Sequence, residues 1–352
     1  MNTEGIVSPS NALTDLLSQI EQELQEIARC RHRSLEPYYG MMHYHLGWAD
    51  ENLGAFDANP GKRLRPLLCL LSCGAAGGDM RQALPAAAAV ELVHNFSLVH
   101  DDIQDGSHTR RGRRAVWDIW GLAHGINVGD GLFVLARLAL HRLAELGVPL
   151  PRQQLATLVL DRACLALCEG QYFDMTFEEH TSVDLERYLS MIRRKTAALL
   201  AAAAELGAII ATDDLGLVEH HRKFGENLGM AFQIQDDILG IWGEEQRTGK
   251  SAATDIRDRK KTLPVVYALR QDAEPDAASR IDEHYTRVDA LNPEAIQEVM
   301  GLLESVGAKE YAEKMARQYY RQAISHLDRA GPANDRQIQL RELSASLLGR
   351  ES

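Results

Sequence analysis

The sequence predicts an all-α protein folded as one large domain. Apolar residues recur at helical spacing along most of the chain, alanine and leucine dominate, and alternating β-branched runs are scarce. With 45% hydrophobic but only 6% aromatic residues in 352, a large core has to be built mainly from Leu, Ala, Ile and Val.

In chain order, residues 1–10 read as disordered and a helix starts after Asn11. Helical patterns follow at about 12–30, 36–54, 61–76, 81–104, 117–146, 151–178, 183–211 and 214–243. Shorter ones follow at about 262–271, 275–287, 293–304, 307–329 and 335–349. The breaks are turn-rich: ANPGK at 58–62, GVPLP at 147–151 and GEEQRTGKSAATD at 243–255. Pro85 and Pro151 sit where a first helical turn tolerates proline. In TDDLG at 212–216, Thr212 or Asp213 is the expected helix cap. No strand-forming block and no low-complexity linker divides the chain, so 1–352 reads as a single domain.

The net charge of −12 argues against a general nucleic-acid surface, which needs a basic footprint. Clustered carboxylates suit hard divalent cations. Cys30, Cys69, Cys73, Cys164 and Cys168 form no CxxC pair and no zinc pattern. They read as reduced thiols in a cytoplasmic protein, with Cys164 and Cys168 packed in the core. The N-terminus lacks the basic and apolar regions of a signal peptide. The run LLAAAAELGAII carries Glu205 and follows Arg193, Arg194 and Lys195, so a core helix is expected there, not a membrane span.

The stretch LVHDDIQDGSHTRRGRR, residues 98–114, sets both signs of charge directly after an apolar run. On a helix, Asp101 and Asp105 are four apart and Asp102 and Asp105 three apart, so their side chains can share a face. Such a cluster is repulsive until a divalent cation neutralises it. Magnesium is held by one or two carboxylates together with substrate phosphates and water. FQIQDDILG at 232–240 places a second acidic pair, Asp236 and Asp237, after another apolar helical run. The recurrence suggests two helices presenting carboxylates across one cavity.

Cations accompany both clusters. Lys62, Arg63 and Arg65 in GKRLRP precede the first, and Arg110, Arg111, Arg113 and Arg114 follow it. Lys250, Lys260 and Lys261 flank the second. Guanidinium groups bind phosphate oxygens in bidentate fashion, so this alternation suits a diphosphate held by magnesium on one side and basic residues on the other. The alternative is a set of surface salt bridges, individually worth little.

Taken in order, GKRLRP, ELVHNFSLVHDDIQD, Arg110-Arg111-Gly112, EGQYFD, RRKTA, FGENLGMAFQIQDD and GK…KKTLP resemble the trans-isoprenyl diphosphate synthase family, the polyprenyl synthetases. The resemblance spans about residues 60–265. It implies a single all-α helical bundle around a central cavity and a magnesium-dependent prenyltransferase that joins isopentenyl diphosphate to an allylic diphosphate. By the same resemblance Asp101 and Asp105 coordinate two magnesium ions with Asp102 in support, and Asp236 holds a third. Arg110, Lys195, Lys250 and Lys260 contact the allylic diphosphate. Lys62, Arg65, His94 and Arg111 form the isopentenyl diphosphate pocket. Thr196, Gln171 and Gln233 place polar oxygens near the reacting allyl group, and Asp237 supports the second metal site.

Four positions depart from the family's pattern. Gly240 stands where many relatives have a third aspartate, Arg114 where a proline is common, Arg259 where a glycine precedes Lys260, and Pro60 where a second glycine is usual. For product length, the family's growing chain runs beside the helix of the first motif, where one turn rises about 5.4 Å, close to one isoprene unit. Phe96 lies five positions before Asp101, Ser97 lies four before it, and no insertion interrupts DDIQD. That combination implies a C20 product, geranylgeranyl diphosphate, with C15 farnesyl diphosphate next; the other reading is that Phe96 is simply core.

A class I terpene cyclase on the same scaffold, and a non-catalytic subunit of a heteromeric synthase, are the competing readings. A cyclase has no use for Lys62, Arg65, His94 and Arg111, and a non-catalytic subunit none for the aspartates. The family usually forms homodimers through long helices. His43 and His45, two apart, face different sides of a helix and are not expected to hold a metal. Gly125, Gly129 and Gly131 in GINVGDGLF follow no strand and are expected to permit close helix contact, not nucleotide binding.

Overall fold

The computed structural model describes residues 11–59, 61–179, 183–243, 253–270, 275–286 and 289–348. They are almost wholly helical and form two compact units. One runs up to Leu160 and adds Glu205–Asp213; the other comprises Asp161–Ala204 and the chain from Asp214 onward.

The first unit contains α1 (Asn11–Ile27), α2 (Glu36–Leu46), α3 (Leu64–Ala75), α4 (Leu84–Gln104), the short α5 (Val116–Trp120), α6 (Leu122–His141) and the start of α7 (Leu150–Glu179). Pro85 occupies the first turn of α4, and residues 86–93 of that helix are all buried. Helix α6 reaches α4 through glycines. A Cβ on Gly129 would lie 2.2 Å from the His100 ring, and one on Gly125 2.9 Å from Ile103. The glycines of GINVGDGLF therefore serve close helix contact. His43 bonds the Ala28 carbonyl at 2.9 Å while His45 is buried, so the two histidines do part company.

Three local readings of this unit are corrected. Helix α2 ends at Leu46 instead of running to 54, because Gly47 turns left-handed (φ 95°) and Trp48 N–H closes onto His43 O at 2.8 Å. Gly121 (φ 88°) divides the segment expected as one helix from 117 into α5 and α6. A two-residue ladder, β1 (Thr109–Arg110) with β2 (Arg113–Arg114), occurs where no strand was expected. Its turn residues Arg111 (φ 53°) and Gly112 (φ 74°) both have positive φ, the geometry that closes a two-residue hairpin.

The second unit takes the rest of α7, then α8 (Leu185–Ile192), a single π turn (Arg193–Ala197), the first half of α9 (Ala198–Ala211), α10 (Leu215–Trp242) and α11 (Thr254–Arg257). After these come α12 (Leu263–Ala268), α13 (Pro275–Thr286), α14 (Pro293–Ser305), α15 (Ala308–Arg329) and α16 (Asp335–Leu348). Helix α10 buries Phe224, Leu228, Met230, Ile234, Ile238 and Ile241 and packs along α15. It is capped by Asp214, whose carboxylate accepts from Gly216 and Leu217 N–H at 2.9 and 3.1 Å. The expected cap Asp213 pairs instead with Arg152 at 2.8 Å.

Helix α9 is buried along Leu199–Leu206 apart from half-buried Glu205, as a core helix should be. No helix among the described residues is long and apolar enough to cross a membrane. None of the five cysteines is in a disulfide; Cys164 is buried, but Cys168 is exposed, contrary to the core position expected for it.

Candidate active site

In the first unit, Asp101 and Asp105 stand one turn apart at the C-terminal end of α4, with Asp105 N–H bonded to Asp101 O at 2.8 Å. Asp101 is half-buried and Asp105 exposed, so this end of the helix offers two oxygen donors on one face. Asp102 turns the other way. It is buried, and Arg110 on β1 donates to it through Nε at 2.8 Å. Burial raises the Asp102 carboxyl and the Arg110 charge pulls it back.

The hairpin turn then presents Arg111 beside Gly61, where a Cβ would lie 3.3 Å from the Arg111 guanidinium. Arg111 has its pKa lowered by burial, against the pull of Glu91 and with the push of Arg63 and Arg110. Arg65 on α3 is pushed down to about 10 by burial and by Arg111, and its Nε has no partner among the described residues. His94 is held well below the ordinary histidine range by burial, then by Arg65 and Arg111; His45 is pushed down to about 3 by burial, then by Arg111, Arg110 and Arg63. The arginines here are lowered by burial and by one another although Glu91 pulls against them, which is the electrostatic setting of an anion site. Lys62 is exposed beside them. Arg63 differs: it is buried and bonded to Glu91 at 2.7 Å and Glu21 at 2.6 Å, so it holds the segment and leaves the anion to its neighbours.

Phe96 is buried on α4 and meets Phe133 of α6 edge-on at 5.1 Å and His100 at 5.7 Å. The Ser97 hydroxyl donates to His94 O at 2.8 Å.

In the second unit the π turn carries Lys195 and Thr196, a distortion common at functional sites because it re-aims side chains out of helical register. Gly170 lets α7 approach it; a Cβ there would lie 2.3 Å from Lys195 N. Gly229 serves α10 likewise, a Cβ there falling 2.6 Å from Ala197 Cα, while one on Gly225 would fall 2.4 Å from Leu200 O of α9. Lys195 Nζ donates to Asp174.

Thr196 Oγ1 donates to Gln233 Oε1 at 2.6 Å, and Gln233 Nε2 donates to Asp237 Oδ1 at 3.0 Å. Asp237 is buried and also accepts from Tyr188 O–H and, at 2.8 Å, from Leu263 N–H. Burial pushes its carboxyl up to about 7 against those hydrogen bonds. Gln171 is buried with neither amide atom partnered among the described residues. Asp236, one position before Asp237, is exposed, as is Lys260. Lys250 lies outside the described residues, as does Pro60.

A family model for polyprenyl synthetases matches residues 48–303. The chain belongs to the polyprenyl synthetase family. This synthetase is 38% identical over 312 residues to a (2E,6E)-farnesyl diphosphate synthase of Mycobacterium tuberculosis, covering 88% of this chain and 85% of that one. It is also 38% identical over 300 residues to a geranylgeranyl diphosphate synthase of the same organism, covering 84% of each. Among solved structures, a polyprenyl synthetase from Streptomyces coelicolor matches with a TM-score of 0.88 at 35% identity, over 97% of this chain and 100% of that one. The polyprenyl synthetase is a short-chain trans-prenyltransferase with the all-α isoprenoid synthase fold.

Sequence reasoning missed three residues that organise the site. Asp174 stands in EGQYFD three positions after Gln171, so its helical spacing was a usable signal. Glu91, the partner of Arg63, was within ELVHNF but carried no cue for its partner. Tyr188 meets Asp237 across 49 positions and is visible only in the fold.

Proposed function

We propose that this polyprenyl synthetase condenses isopentenyl diphosphate with an allylic diphosphate, ending at C20 geranylgeranyl diphosphate. Its two compact units act as one catalytic domain. The observation that carries the reading is the pair of destabilised cations, Arg65 and Arg111, with neutral His94, beside the α4 carboxylates. That pairing suits a diphosphate anion and its metal.

The residues fit magnesium. Asp101, Asp105 and Asp236 are oxygen donors with solvent access, and no three His, Cys, Asp or Glu side chains among the described residues converge to hold an ion unaided. One or two carboxylates plus substrate oxygens is how magnesium is usually bound. Asp101, Asp105 and Asp236 would hold three ions with diphosphate bound. When bound, magnesium neutralises the charge that gathers on departing diphosphate.

Arg110, Lys195, Lys250 and Lys260 bind the allylic diphosphate and take up its negative charge as the C–O bond breaks, the electron pair leaving with the diphosphate. Lys62, Arg65 and Arg111 hold the diphosphate of isopentenyl diphosphate, and His94, kept neutral, adds a hydrogen bond. Thr196, Gln171 and Gln233 turn oxygen dipoles toward the allyl cation. The double bond of isopentenyl diphosphate attacks the cation, and a proton passes to the released diphosphate, so no protein base is required. Apolar walls keep out water, which would trap the cation as an alcohol.

Phe96, about 7.5 Å along α4 from Asp101 at helical rise, closes the channel with Phe133, and small Ser97 leaves room above it. A second copy of the chain is the partner. Leu122, Ile126, Val134 and Leu138 of α6 remain exposed along one helical face, an apolar stripe that supports a homodimer. Five cysteines, none in a disulfide, support a cytoplasmic enzyme.

The test is incubation with magnesium, isopentenyl diphosphate and dimethylallyl, geranyl or farnesyl diphosphate in turn, with products dephosphorylated and sized by mass spectrometry. A C20 alcohol is expected, reduced about 10³-fold in Asp101→Ala. A C15 stop would move the channel floor upward. Hydrocarbon from an allylic diphosphate alone would make the protein a cyclase, and no turnover with any primer would make it a partner subunit.

A further inference from the structure

The hairpin that carries Arg110 and Arg111 is too short to hold itself. Its ladder pairs only Thr109 with Arg114 and Arg110 with Arg113, and even a full-length isolated hairpin is marginal in water. Its two site arginines are also held unequally. Arg110 has its own anchor, the bond from Nε to Asp102 at 2.8 Å. The Arg111 side chain makes no hydrogen bond or ion pair among the described residues, and its backbone stands at φ 53°. What fixes the place of Arg111 must therefore come from the strand that follows it.

That strand is latched to the end of α2 in both directions. The Arg113 guanidinium donates from Nη1 to Tyr44 O at 3.1 Å and from Nη2 to Ala49 O at 2.6 Å. It lies over the Tyr44 ring, 3.8 Å from its centroid, and 5.5 Å from the centroid of Phe56. Tyr44 answers with its hydroxyl, which donates to Arg114 O at 2.8 Å. The platform is firm, because Tyr44 and Ala49 are buried and Ala49 pairs with Ala55 in an isolated bridge. A planar fork can reach two carbonyls and lie on a ring at once; an ammonium cannot.

We propose that Arg113, latched to Tyr44 and Ala49, is a positioning residue that sets Arg111 for the diphosphate of isopentenyl diphosphate, while Arg110 is set independently by Asp102. The proposal rests on the roles of Arg110 and Arg111 in the reading above. Two arginines adjacent in sequence thus answer to two separate anchors. Loss of the latch should harm the use of one substrate and spare the other.

Steady-state kinetics with each diphosphate varied in turn test this. Arg113→Ala is expected to raise the KM for isopentenyl diphosphate about tenfold, with kcat and the allylic KM within about twofold of wild type. Arg113→Lys keeps the charge but cannot span both carbonyls, so it should retain most of that defect. Tyr44→Phe loses only the hydroxyl bond and should raise the same KM about two- to threefold. Circular dichroism checks that each variant folds; if Arg113→Ala does not, Arg113→Lys decides by the same split.

A parallel rise in both KM values, or a fall in kcat alone, would overturn the proposal and make Arg113 a general support of the fold. Wild-type kinetics in Arg113→Lys would overturn it too, since charge alone would then suffice. Arg111→Ala separates the two readings. If it leaves the KM for isopentenyl diphosphate unchanged, the assigned role of Arg111 and this proposal fall together. If it raises that KM and Arg113→Ala does not, only this proposal falls.

Discussion

The two acidic motifs hold their middle aspartate by different means. Asp102 in the first unit is buried against a full charge, the Arg110 guanidinium. Asp237 in the second is buried among neutral donors: the Tyr188 hydroxyl, the Leu263 amide and the Gln233 amide. The difference follows from local structure. A hairpin follows the first motif at once and can return an arginine, whereas α10 continues past the second and its aspartate must find partners on α8 and α12. Similar sequence signatures therefore make unlike electrostatic sites. The first is a charge pair with a single strong partner, and the second a distributed network that also orients Gln233 and, through it, Thr196.

Removing partners should expose the contrast most strongly. Arg110→Ala leaves Asp102 buried without a counter-charge and should cost about 3 kcal/mol of unfolding free energy in the absence of substrate. Tyr188→Phe leaves Asp237 two of its donors and should cost about 1–2 kcal/mol. Urea denaturation of both variants measures this. Equal losses would mean that the Asp237 network depends on Tyr188 alone and is not distributed.

Acid stability sharpens the contrast at the next level. His221 on α10 is buried with neither ring nitrogen partnered among the described residues, and burial pushes it down from 6.5 to about 4. The unfolded chain takes up a proton below 6.5 that the folded chain refuses, so stability falls as pH drops from about 6.5 to about 4 and then levels. His221→Leu should remove that part of the slope, by up to ~3 kcal/mol at the acid end. His45 in the first unit is pushed down to about 3 by burial and by nearby arginines. Inorganic diphosphate should therefore flatten the acid slope of His221→Leu, where His45 and His94 remain, by screening the arginines that depress both. A slope unmoved by diphosphate would count against an anion site beside His45.

What could be read from the sequence follows from how local each cause is. Helix period placed α4, α7 and α10 closely, because an apolar face is a short-range pattern. The acidic clusters and their cations were legible because carboxylates three and four apart need no tertiary knowledge to share a face. The hairpin at 109–114 was missed because it rests on two positive-φ residues, Arg111 and Gly112, within a run read only for its charge. The early end of α2 was missed because Gly47 looks ordinary within HLGW until its left-handed φ is seen. Tyr188 was out of reach altogether, since it matters through a contact that only packing creates.

The smallest expected effect concerns Arg259, a position where the family resemblance implies glycine. The backbone shows why glycine suits the position. Arg259 N–H bonds Ile256 O at 3.0 Å and Lys260 N–H bonds Asp255 O at 2.8 Å, the paired closure of a helix that needs a left-handed residue, and Arg259 has φ 51°. An arginine there bears roughly 1 kcal/mol of strain. Its side chain offsets this by donating from Nε to His284 O at 3.0 Å and from Nη2 to Asp289 O. Arg259→Gly relieves the strain and loses the bonds, so its stability should shift by less than about 1 kcal/mol. Arg259→Ala keeps the strain and loses the bonds, and should cost about 1–2 kcal/mol. Thermal denaturation of the pair separates the terms. If glycine proved as damaging as alanine, the guanidinium bonds alone would hold this turn, and the left-handed backbone would carry no measurable strain.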